Sequence, residues 1–268
     1  MSDSTIKVAI VGAGNMAWSL IPSLQQAGTE VVQLISRNEE RRQTFAQTYG
    51  IPQVGETPRD LIADLDLIFL TVPDGVLSGL AAGIALDDRP GTILLHTSGS
   101  SPLSLLAGSG DAIGVFYPMQ IFTQSRVTPF AHLPIFLEGN ASVMRKIDPL
   151  AKAMSDRVYF LNSYDRLRLH MGAVMACNFS NLLFRLTSQV LPPHPDLDFS
   201  VYEPLVREHI DKVFAFGPKN TQTGPAIRGD MDTISQHMQL LSDHPNIQKL
   251  YGELSQMINP DLNLDGHI

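Results

Sequence analysis

Short apolar runs alternate with longer, helix-like segments between Ile6 and Leu161. Short runs bounded by Gly, Pro and polar residues predict strands, and the longer segments predict helices. The predicted strands are Ile6–Val11, Val31–Ile35, Leu65–Val72, Gly91–His96, Ile113–Phe116, Pro134–Glu138 and Val158–Leu161, and the predicted helices are Ala17–Gln26, Asn38–Tyr49 and Val76–Ala85. Strands that alternate with helices indicate a mostly parallel, doubly wound sheet, and the closer spacing of the later strands is compatible with an antiparallel edge.

From Ser163 onward the pattern becomes helical. Asp165 favours the first turn of a helix that stays apolar around much of its surface and stops before Pro192-Pro193. Such a helix is usually buried on several sides, by its own domain or by a partner subunit. Further helices are predicted at Val201–Phe216, Asp232–Ser242 and Ile247–Ile258. We therefore expect an all-α domain over residues 163–268 that serves substrate binding and homodimer formation.

The first predicted strand leads directly into Gly12-Ala13-Gly14-Asn15-Met16-Ala17, a G-x-G-x-x-A turn between a strand and a helix. A dinucleotide pyrophosphate needs this context, because Gly12 permits the tight turn and Gly14 lets a phosphate approach the backbone. The N–H groups and the positive dipole end of the following helix then face the phosphates. The motif predicts a dinucleotide-binding Rossmann domain over residues 1–162. A structural βα turn is the alternative.

The end of the second predicted strand indicates which nicotinamide nucleotide binds. NAD binders usually carry Asp or Glu there, and the carboxylate accepts from the ribose 2′-OH. This chain has Ser36 and Arg37, followed by Arg41 and Arg42. A hydroxyl and a guanidinium suit a 2′-phosphate that a carboxylate would repel. The sequence therefore predicts NADP(H) with Arg37 as the main contact, while Arg41 and Arg42 also fit a solvated helix face.

Three predicted strand ends carry suggestive side chains at the edge where open α/β sheets bind ligands. The first is Thr71-Val72-Pro73-Asp74, in which Val72 and Pro73 are expected beside the cofactor. The second is His96-Thr97-Ser98-Gly99-Ser100, in which His96 and Ser98 are candidate substrate contacts. His96 could instead cap the strand end. The third is Phe116-Tyr117-Pro118-Met119-Gln120. We expect these loops to lie over the nicotinamide and the substrate.

Polar side chains recur on one face of the long helix. At 100° per residue, His170, Asn178 and Asn181 share that face with Val174 and Cys177. An unsatisfied buried amide or imidazole is costly, and a substrate groove would supply partners. His170 and Asn178 are therefore candidate catalytic residues, and Asn181 is a candidate substrate contact. The alternative is a core histidine with two structural amides that bond neighbouring backbone.

A later loop, residues 220–230, combines hydroxyls, glycines and Arg228. The guanidinium of Arg228 could fork onto a substrate carboxylate. It could also pair with Asp230 and brace the loop.

Composition narrows the class of protein. The chain has 268 residues, of which 44% are hydrophobic and 17% charged, as expected for a folded protein with a core. A net charge of −8 argues against a nucleic-acid partner. No apolar stretch reaches the ~18 residues of a membrane span, and no secretory signal is visible, so we expect a cytoplasmic protein. The single cysteine, Cys177, disfavours a Cys-based metal site, and no metal is expected.

Together these motifs resemble the 6-phosphogluconate dehydrogenase-like superfamily, in which a Rossmann domain precedes an all-helical domain. The likeness is strongest to an uncharacterised Rossmann-like group of NADP oxidoreductases with a C-terminal domain of unknown function. The segments that carry it are the glycine motif, Val72-Pro73-Asp74, His96-Thr97-Ser98-Gly99, His170 with Ala176-Cys177-Asn178, and Thr223–Asp230.

Relatives of known chemistry include β-hydroxyacid dehydrogenases, ketopantoate reductases and pyrroline-5-carboxylate reductases. The first two use a lysine on the first long helix of the second domain, with an asparagine one or two turns later. The resemblance places His170 where that lysine stands, Val174 at the next turn and Asn178 at the turn after. It therefore implies either a histidine in the acid–base role or an activity that differs or is lost.

The sequence thus predicts an NADPH-dependent reductase of a small carbonyl or imine compound, plausibly a 2-oxo acid. The substrate is expected in a cleft between the domains, with His170 donating the proton and Asn178 holding the carbonyl or carboxylate. The alternative is a non-catalytic NADP(H)-binding sensor or scaffold. A third possibility is a deazaflavin-dependent NADP reductase.

Overall fold

The computed structural model describes residues 5–264. The chain divides into two compact units, Met1–Ala173 and Val174–Ile268. The division falls inside the helical segment that begins at Ser163. The domain boundary expected at residue 162 stays a prediction.

One eight-stranded sheet forms the centre of the first unit. In chain order its strands are β1 (Lys7–Val11), β2 (Glu30–Ile35), β3 (Gln53–Gly55), β4 (Leu67–Leu70), β5 (Ile93–His96), β6 (Ile113–Pro118), β7 (Ile135–Gly139) and β8 (Val158–Phe160). They lie in the order β3-β2-β1-β4-β5-β6-β7-β8. Every neighbouring pair is parallel except β6 and β7, which are antiparallel. The predicted Rossmann-like sheet with an antiparallel edge is therefore confirmed.

Helices of the first unit follow most of these strands. They are α1 (Asn15–Gln26), α2 (Glu39–Tyr49), α3 (Asp74–Ala81), α4 (Ala141–Met154) and α5 (Ser163–Ala173). Asn38 caps α2 by accepting from the Arg41 backbone N–H at 2.8 Å, and Asn140 caps α4 in the same way.

Both faces of the sheet are covered, which explains the near-continuous apolar runs of the sequence. Along β1, Val8 and Ile10 belong to one buried cluster, and Ala9 and Val11 belong to the other. The alternation follows from the two-residue period of a strand. A sheet buried on both faces leaves the carboxyl ends of its strands as the natural place for a ligand.

The described part of the second unit, residues 174–264, consists of helices joined by loops, with no strand. It contains a π-helix (Val174–Phe179), α6 (Ser180–Gln189), α7 (Glu203–Phe216), α8 (Pro225–Arg228), α9 (Met231–Leu240) and α10 (Pro245–Ile258). Its buried cluster is small and comprises Ala226, Ile234, Met238, Leu262 and Leu264. Across residues 5–264, no helix is long and apolar enough to cross a bilayer.

The long helix differs from its prediction. The expectation was one regular α-helix from Ser163 to about Leu191, but the stretch Val174–Phe179 is π-helical. A π-helix bonds i to i+5 and therefore turns less per residue than an α-helix. The predicted regular α-helix is therefore wrong at Val174–Phe179, where the spacing of 100° per residue does not hold. A shared face for His170, Asn178 and Asn181 stays a prediction.

Candidate functional site

The turn after β1 requires glycine at position 12. Gly12 has a φ of +118°, and a Cβ there would lie 2.7 Å from the Thr71 carbonyl oxygen. The Gly12 N–H donates to the Ile35 carbonyl at 2.8 Å. The Thr71 hydroxyl donates to the Gly12 carbonyl at 2.9 Å. The loops that follow β1 and β4 are therefore locked together at the position of the predicted pyrophosphate site.

Gly14 precedes α1 in an extended conformation and offers that helix no side-chain cap. The first turn of α1, which begins with Asn15 and Met16, contains no acidic residue. Uncapped N–H groups and the helix dipole both favour an anion at such a helix start. A Cβ at Gly14 would lie 3.6 Å from the Thr71 carbonyl oxygen. Packing therefore does not demand this glycine, whereas close approach of a phosphate would.

A cavity of about 800 Å³ opens at the carboxyl ends of β1, β2 and β4. Its wall includes seven of the nine predicted cofactor residues, namely Gly12, Ala13, Gly14, Ser36, Arg37, Val72 and Pro73. The other two, Asn15 and Met16, line a neighbouring cavity of about 490 Å³. The structure thus brings all nine to one edge of the sheet.

Two exposed arginines line the larger cavity. Arg37 and Arg41 both line it, together with Ser36. Arg42 has a different position, because its guanidinium donates to the Ser36 carbonyl at 2.5 Å and is half-buried. Arg41 therefore lines the cavity although it is also exposed to solvent. Arg42 instead holds the loop that follows β2 through its bond to Ser36. Sequence reasoning missed Glu56, which also lines this cavity from the loop after β3.

The smaller cavity continues toward the ends of β4 and β5. It shares Gly14, Arg41 and the loop Thr71–Pro73 with the larger one and adds Asp74, Thr97 and Ser98. The predicted substrate contact Ser98 therefore lies in a cavity wall. The polar groups of this wall can donate to and accept from a small polar molecule.

His96 does not reach either cavity wall and is fully buried. Its Nδ1 accepts from the Ser98 backbone N–H at 3.2 Å. Burial, and then the nearby Arg166 charge, lower the pKa of His96 to about 4, against the opposing effects of Asp74 and the Pro102 backbone. His96 is therefore a neutral imidazole that accepts a hydrogen bond from the loop after β5. This arrangement fits the cap at the strand end, which was the alternative to a substrate contact.

The loop after β5 is tightly hydrogen-bonded. The Ser98 hydroxyl oxygen accepts from the backbone N–H groups of Ser100 and Ser101, at 3.1 and 2.9 Å. The Ser100 hydroxyl donates to the Asp74 carboxylate, which follows β4. Two of the predicted ligand loops are therefore held in a fixed relation to each other.

His170 lies against Tyr117 and Gly99. Its Nδ1 is 3.3 Å from the Tyr117 hydroxyl oxygen. A Cβ at Gly99 would lie 2.7 Å from that nitrogen and 2.9 Å from the hydroxyl oxygen. Burial raises the pKa of the Tyr117 phenol above its usual range, with Arg166 opposing and Asp74 adding to the shift. The structure thus brings the predicted catalytic histidine to the ends of β5 and β6.

A buried arginine fixes the helix that carries His170. Arg166, four residues earlier on α5, is 1% exposed and forms an ion pair with Glu138 at the end of β7. Its other terminal nitrogen donates to the Ser101 carbonyl at 2.5 Å. The Ser163 hydroxyl also donates to Glu138, at 2.9 Å. Sequence reasoning missed this network, which joins α5, β7 and the loop after β5.

Three predicted site residues belong to the second unit. Asn178 lies in the π-helix and Asn181 in α6, and both are exposed. Arg228 is exposed and lies 3.7 Å from the Asp230 carboxylate. Asp230 also caps α9 by accepting from the Thr233 backbone N–H at 3.1 Å. For Arg228 this arrangement fits the loop-bracing alternative, while the roles of Asn178 and Asn181 stay predictions.

Within residues 5–264, no group of three or more His, Cys, Asp or Glu side chains is arranged to hold a metal ion.

Two family models match the chain. The model described as NADP oxidoreductase, coenzyme F420-dependent, matches residues 7–98. A model described as a domain of unknown function, DUF2520, matches residues 133–258. The two matches fall in the order in which the resemblance placed a Rossmann domain and a helical domain.

Solved structures extend the likeness over the whole chain. A Bacteroides fragilis protein, provisionally assigned as an NADP oxidoreductase, is 34% identical with a TM-score of 0.87, and the match covers 96% of this chain and 98% of that one. An imine reductase from Myxococcus stipitatus, solved with NADP+, has a TM-score of 0.65 at 14% identity and covers 95% and 93%. At that identity the second match is a likeness of fold alone.

Among curated proteins, the pyrroline-5-carboxylate reductase of Pseudomonas aeruginosa is 29% identical over 105 residues. The match covers 38% of this chain and 38% of that reductase.

Proposed function

We propose that this protein is an NADPH-dependent reductase of a small carbonyl or imine compound. The premise is its family, because the chain belongs to the NADP oxidoreductases that join this nucleotide-binding domain to the DUF2520 domain. The observation that carries the proposal is the cavity of about 800 Å³, whose wall combines the glycine turn with Ser36, Arg37 and Arg41. That wall joins a site for a diphosphate to a cationic site for a further phosphate.

The residues of the cavity fit NADP(H). The start of α1, which has no side-chain cap, offers N–H groups to the pyrophosphate, and Gly14 leaves room for a phosphate to approach. Arg37 and Arg41 offer planar guanidinium donors to a 2′-phosphate, which strengthens binding through charge-assisted hydrogen bonds. Glu56 lines the same cavity, but it follows β3 rather than β2, where an NAD binder carries its carboxylate. Bound NADPH supplies the hydride.

The chain's own groups orient the substrate and supply the proton. We place the substrate at the smaller cavity, whose wall includes Thr97 and Ser98, on the side toward Gly99 and His170. His170 is the proton donor to the substrate oxygen or nitrogen, and its contacts with Tyr117 and Gly99 hold the imidazole in place. Asn178, Asn181 and Arg228 stay predicted substrate contacts.

We propose that the protein acts as a homodimer formed through its helical unit. Large apolar side chains of that unit are exposed in the single chain, including Leu205, Phe214, Phe216, Leu240 and Met257. This many exposed large apolar side chains in one unit favour an interface, and a second copy of the chain is the commonest partner.

The test is loss of NADPH fluorescence on a panel of 2-oxo acids and cyclic imines. The panel also includes an oxidised deazaflavin. The family model that matches residues 7–98 describes oxidoreductases that depend on coenzyme F420, which is a deazaflavin. We expect turnover with at least one carbonyl or imine compound. Binding of NADPH without turnover on every compound would instead support the sensor or scaffold.

His170→Ala tests the proton donor within the same assay. Turnover is expected to fall ~10²–10⁴-fold, while NADPH affinity stays nearly intact. His132→Ala is the matched control, because His132 is an exposed histidine of the same unit that pairs with Asp156. Equal turnover in the two variants would remove His170 from the mechanism.

A further inference from the structure

Tyr117 is a buried phenol with a constrained ring. It is 8% exposed at the end of β6. Its ring lies 6.1 Å from that of Phe136 on β7, and Phe136 in turn stacks on Tyr159 at 5.3 Å. Burial raises the pKa of Tyr117, so its hydroxyl keeps its proton at neutral pH. A buried O–H without an acceptor is costly, so this group needs one within reach.

The acceptor in reach is His170. The Tyr117 hydroxyl oxygen lies 3.3 Å from Nδ1, and the two rings meet edge-on with their planes 70° apart. A neutral imidazole has one N–H and one bare nitrogen. If Nδ1 accepts from the phenol, the imidazole proton must lie on Nε2. That nitrogen is then the end of the half-buried ring that can donate to another molecule.

Gly99 supports this pairing independently. Its φ is not in the left-handed region, so backbone conformation does not require glycine there. Space does, because a Cβ would lie 2.7 Å from His170 Nδ1, 2.7 Å from Tyr117 Cζ and 2.9 Å from its hydroxyl oxygen. The loop that carries Gly99 is itself held by the Ser98 hydroxyl and by Arg166 on Ser101. Any side chain at position 99 would push the histidine and the tyrosine apart.

We infer that Tyr117 is a positioning residue that holds His170 as its Nε2–H tautomer, and that Gly99 is the residue whose small size lets the two rings meet. The catalytic meaning of this arrangement rests on the proposed reductase function.

In that reaction the pair would supply the proton that the substrate takes up. As hydride reaches the substrate carbon, the Nε2 proton passes to the substrate oxygen, and the Tyr117 proton passes to Nδ1. The imidazole ends neutral, with its proton on Nδ1. The starting pair is restored when Nε2 takes a proton from water and the Nδ1 proton returns to the phenolate. An alkoxide is a much stronger base than a phenolate. The transfer therefore runs downhill even from a buried phenol.

The test is ¹⁵N NMR of the histidine-labelled full chain at alkaline pH, where imidazole is neutral. His170 is assigned by its loss in His170→Gln. We expect the Nε2–H form to dominate in the wild type and a mixture of both tautomers in Tyr117→Phe. Tyr159→Phe is the matched control, because it removes a hydroxyl from an exposed tyrosine that stacks on the same phenylalanine.

Kinetics gives a second readout. Tyr117→Phe should lower kcat roughly 10- to 100-fold with little change in KM or NADPH affinity, as expected for loss of part of an acid–base contribution. A wild-type His170 that is an equal mixture, or that carries its proton on Nδ1, would overturn the inference. A spectrum that Tyr117→Phe leaves unchanged would do the same. The tautomer is read without substrate, so it can hold even if the proposed reductase activity fails.

Discussion

The two units of the chain use their apolar residues in opposite ways. In the first, every residue of β4 and β5 is buried, and α1 and α4 add further buried side chains to the cluster on one face. In the second, no residue between Val174 and Pro225 is buried, and the small cluster around Ile234 and Met238 lies farther along the chain. Apolar residues between Val174 and Pro225 are thus as typical of a core as those of the first unit, yet the single chain leaves them uncovered. We take the first unit to be stabilised from within and the second to need a partner surface.

The largest effect is expected where the first unit buries a charge. Arg166→Met would leave Glu138, which is 17% exposed, without its partner. Removing one member of a buried pair typically costs about 3–5 kcal/mol of unfolding free energy. Urea denaturation of the purified variant measures it.

Arg168→Met is the control, because Arg168 is an exposed arginine on the same helix whose guanidinium lies over the Tyr164 ring, 5.8 Å from its centroid. Its cost should stay below about 0.5 kcal/mol. The double variant Arg166→Met with Glu138→Gln should recover part of the lost stability. Equal stability of the Arg166 and Arg168 variants would show that the first unit does not depend on this internal pair.

The next effect concerns the uncovered surface of the second unit. Leu205 is 68% exposed and Phe216 is 64% exposed, and at 100° per residue both lie on one face of α7. Leu205→Glu with Phe216→Glu should raise the dimer dissociation constant about 100-fold, or roughly 2.7 kcal/mol, because it places charges in an apolar interface. Sedimentation velocity over a concentration series measures the change.

Ile121→Glu provides the matched control in the first unit, since Ile121 is 66% exposed. That variant should sediment as the wild type does. If the wild-type chain is monomeric at every concentration, the second unit does not need a partner surface, and the contrast with the first unit fails.

The smallest of the three effects is a pH dependence inside the first unit. The pKa of His96 is lowered from 6.5 to about 4 in the folded state. The unfolded chain therefore binds a proton at this residue as the pH falls below about 6.5, whereas the folded chain does not until about pH 4. Stability is lost as the pH falls through this window, by about 2 kcal/mol at pH 5.

His96→Asn removes that titration while keeping an acceptor for the Ser98 N–H. Between pH 7.5 and pH 5 the variant should lose about 2 kcal/mol less unfolding free energy than the wild type. If the wild type and the variant lose the same unfolding free energy over this pH range, His96 takes up a proton as readily in the folded chain as in the unfolded chain.

Features that are local in sequence could be predicted. The apolar runs of β1, β2, β4 and β5 and the contiguous glycine motif each carry their own signal, and the structure has them where expected. Strand β3 was missed because it has three residues and buries only Gly55. Helix α4 was missed although Val143, Ile147, Leu150 and Met154 repeat at helical spacing, so a signal existed.

The catalytic geometry could not be predicted in the same way. Tyr117 and His170 are 53 residues apart, and Arg166 is 65 residues from Ser101. Periodicity describes one element at a time and does not specify which elements meet. The π-helix at Val174–Phe179 is another such feature, because its altered hydrogen bonding leaves no mark in the pattern of apolar residues.

Titration calorimetry of the purified chain with NADPH and with NADH tests the central claim most directly. We expect NADPH to bind at least about tenfold more tightly, since charge-assisted hydrogen bonds to the extra phosphate contribute about 1.5–3 kcal/mol. Arg37→Ala with Arg41→Ala should remove most of that preference, and Arg145→Ala, at an exposed arginine of α4, should leave it unchanged. No heat of binding with either nucleotide, or equal affinity for both in the wild type, would contradict the account.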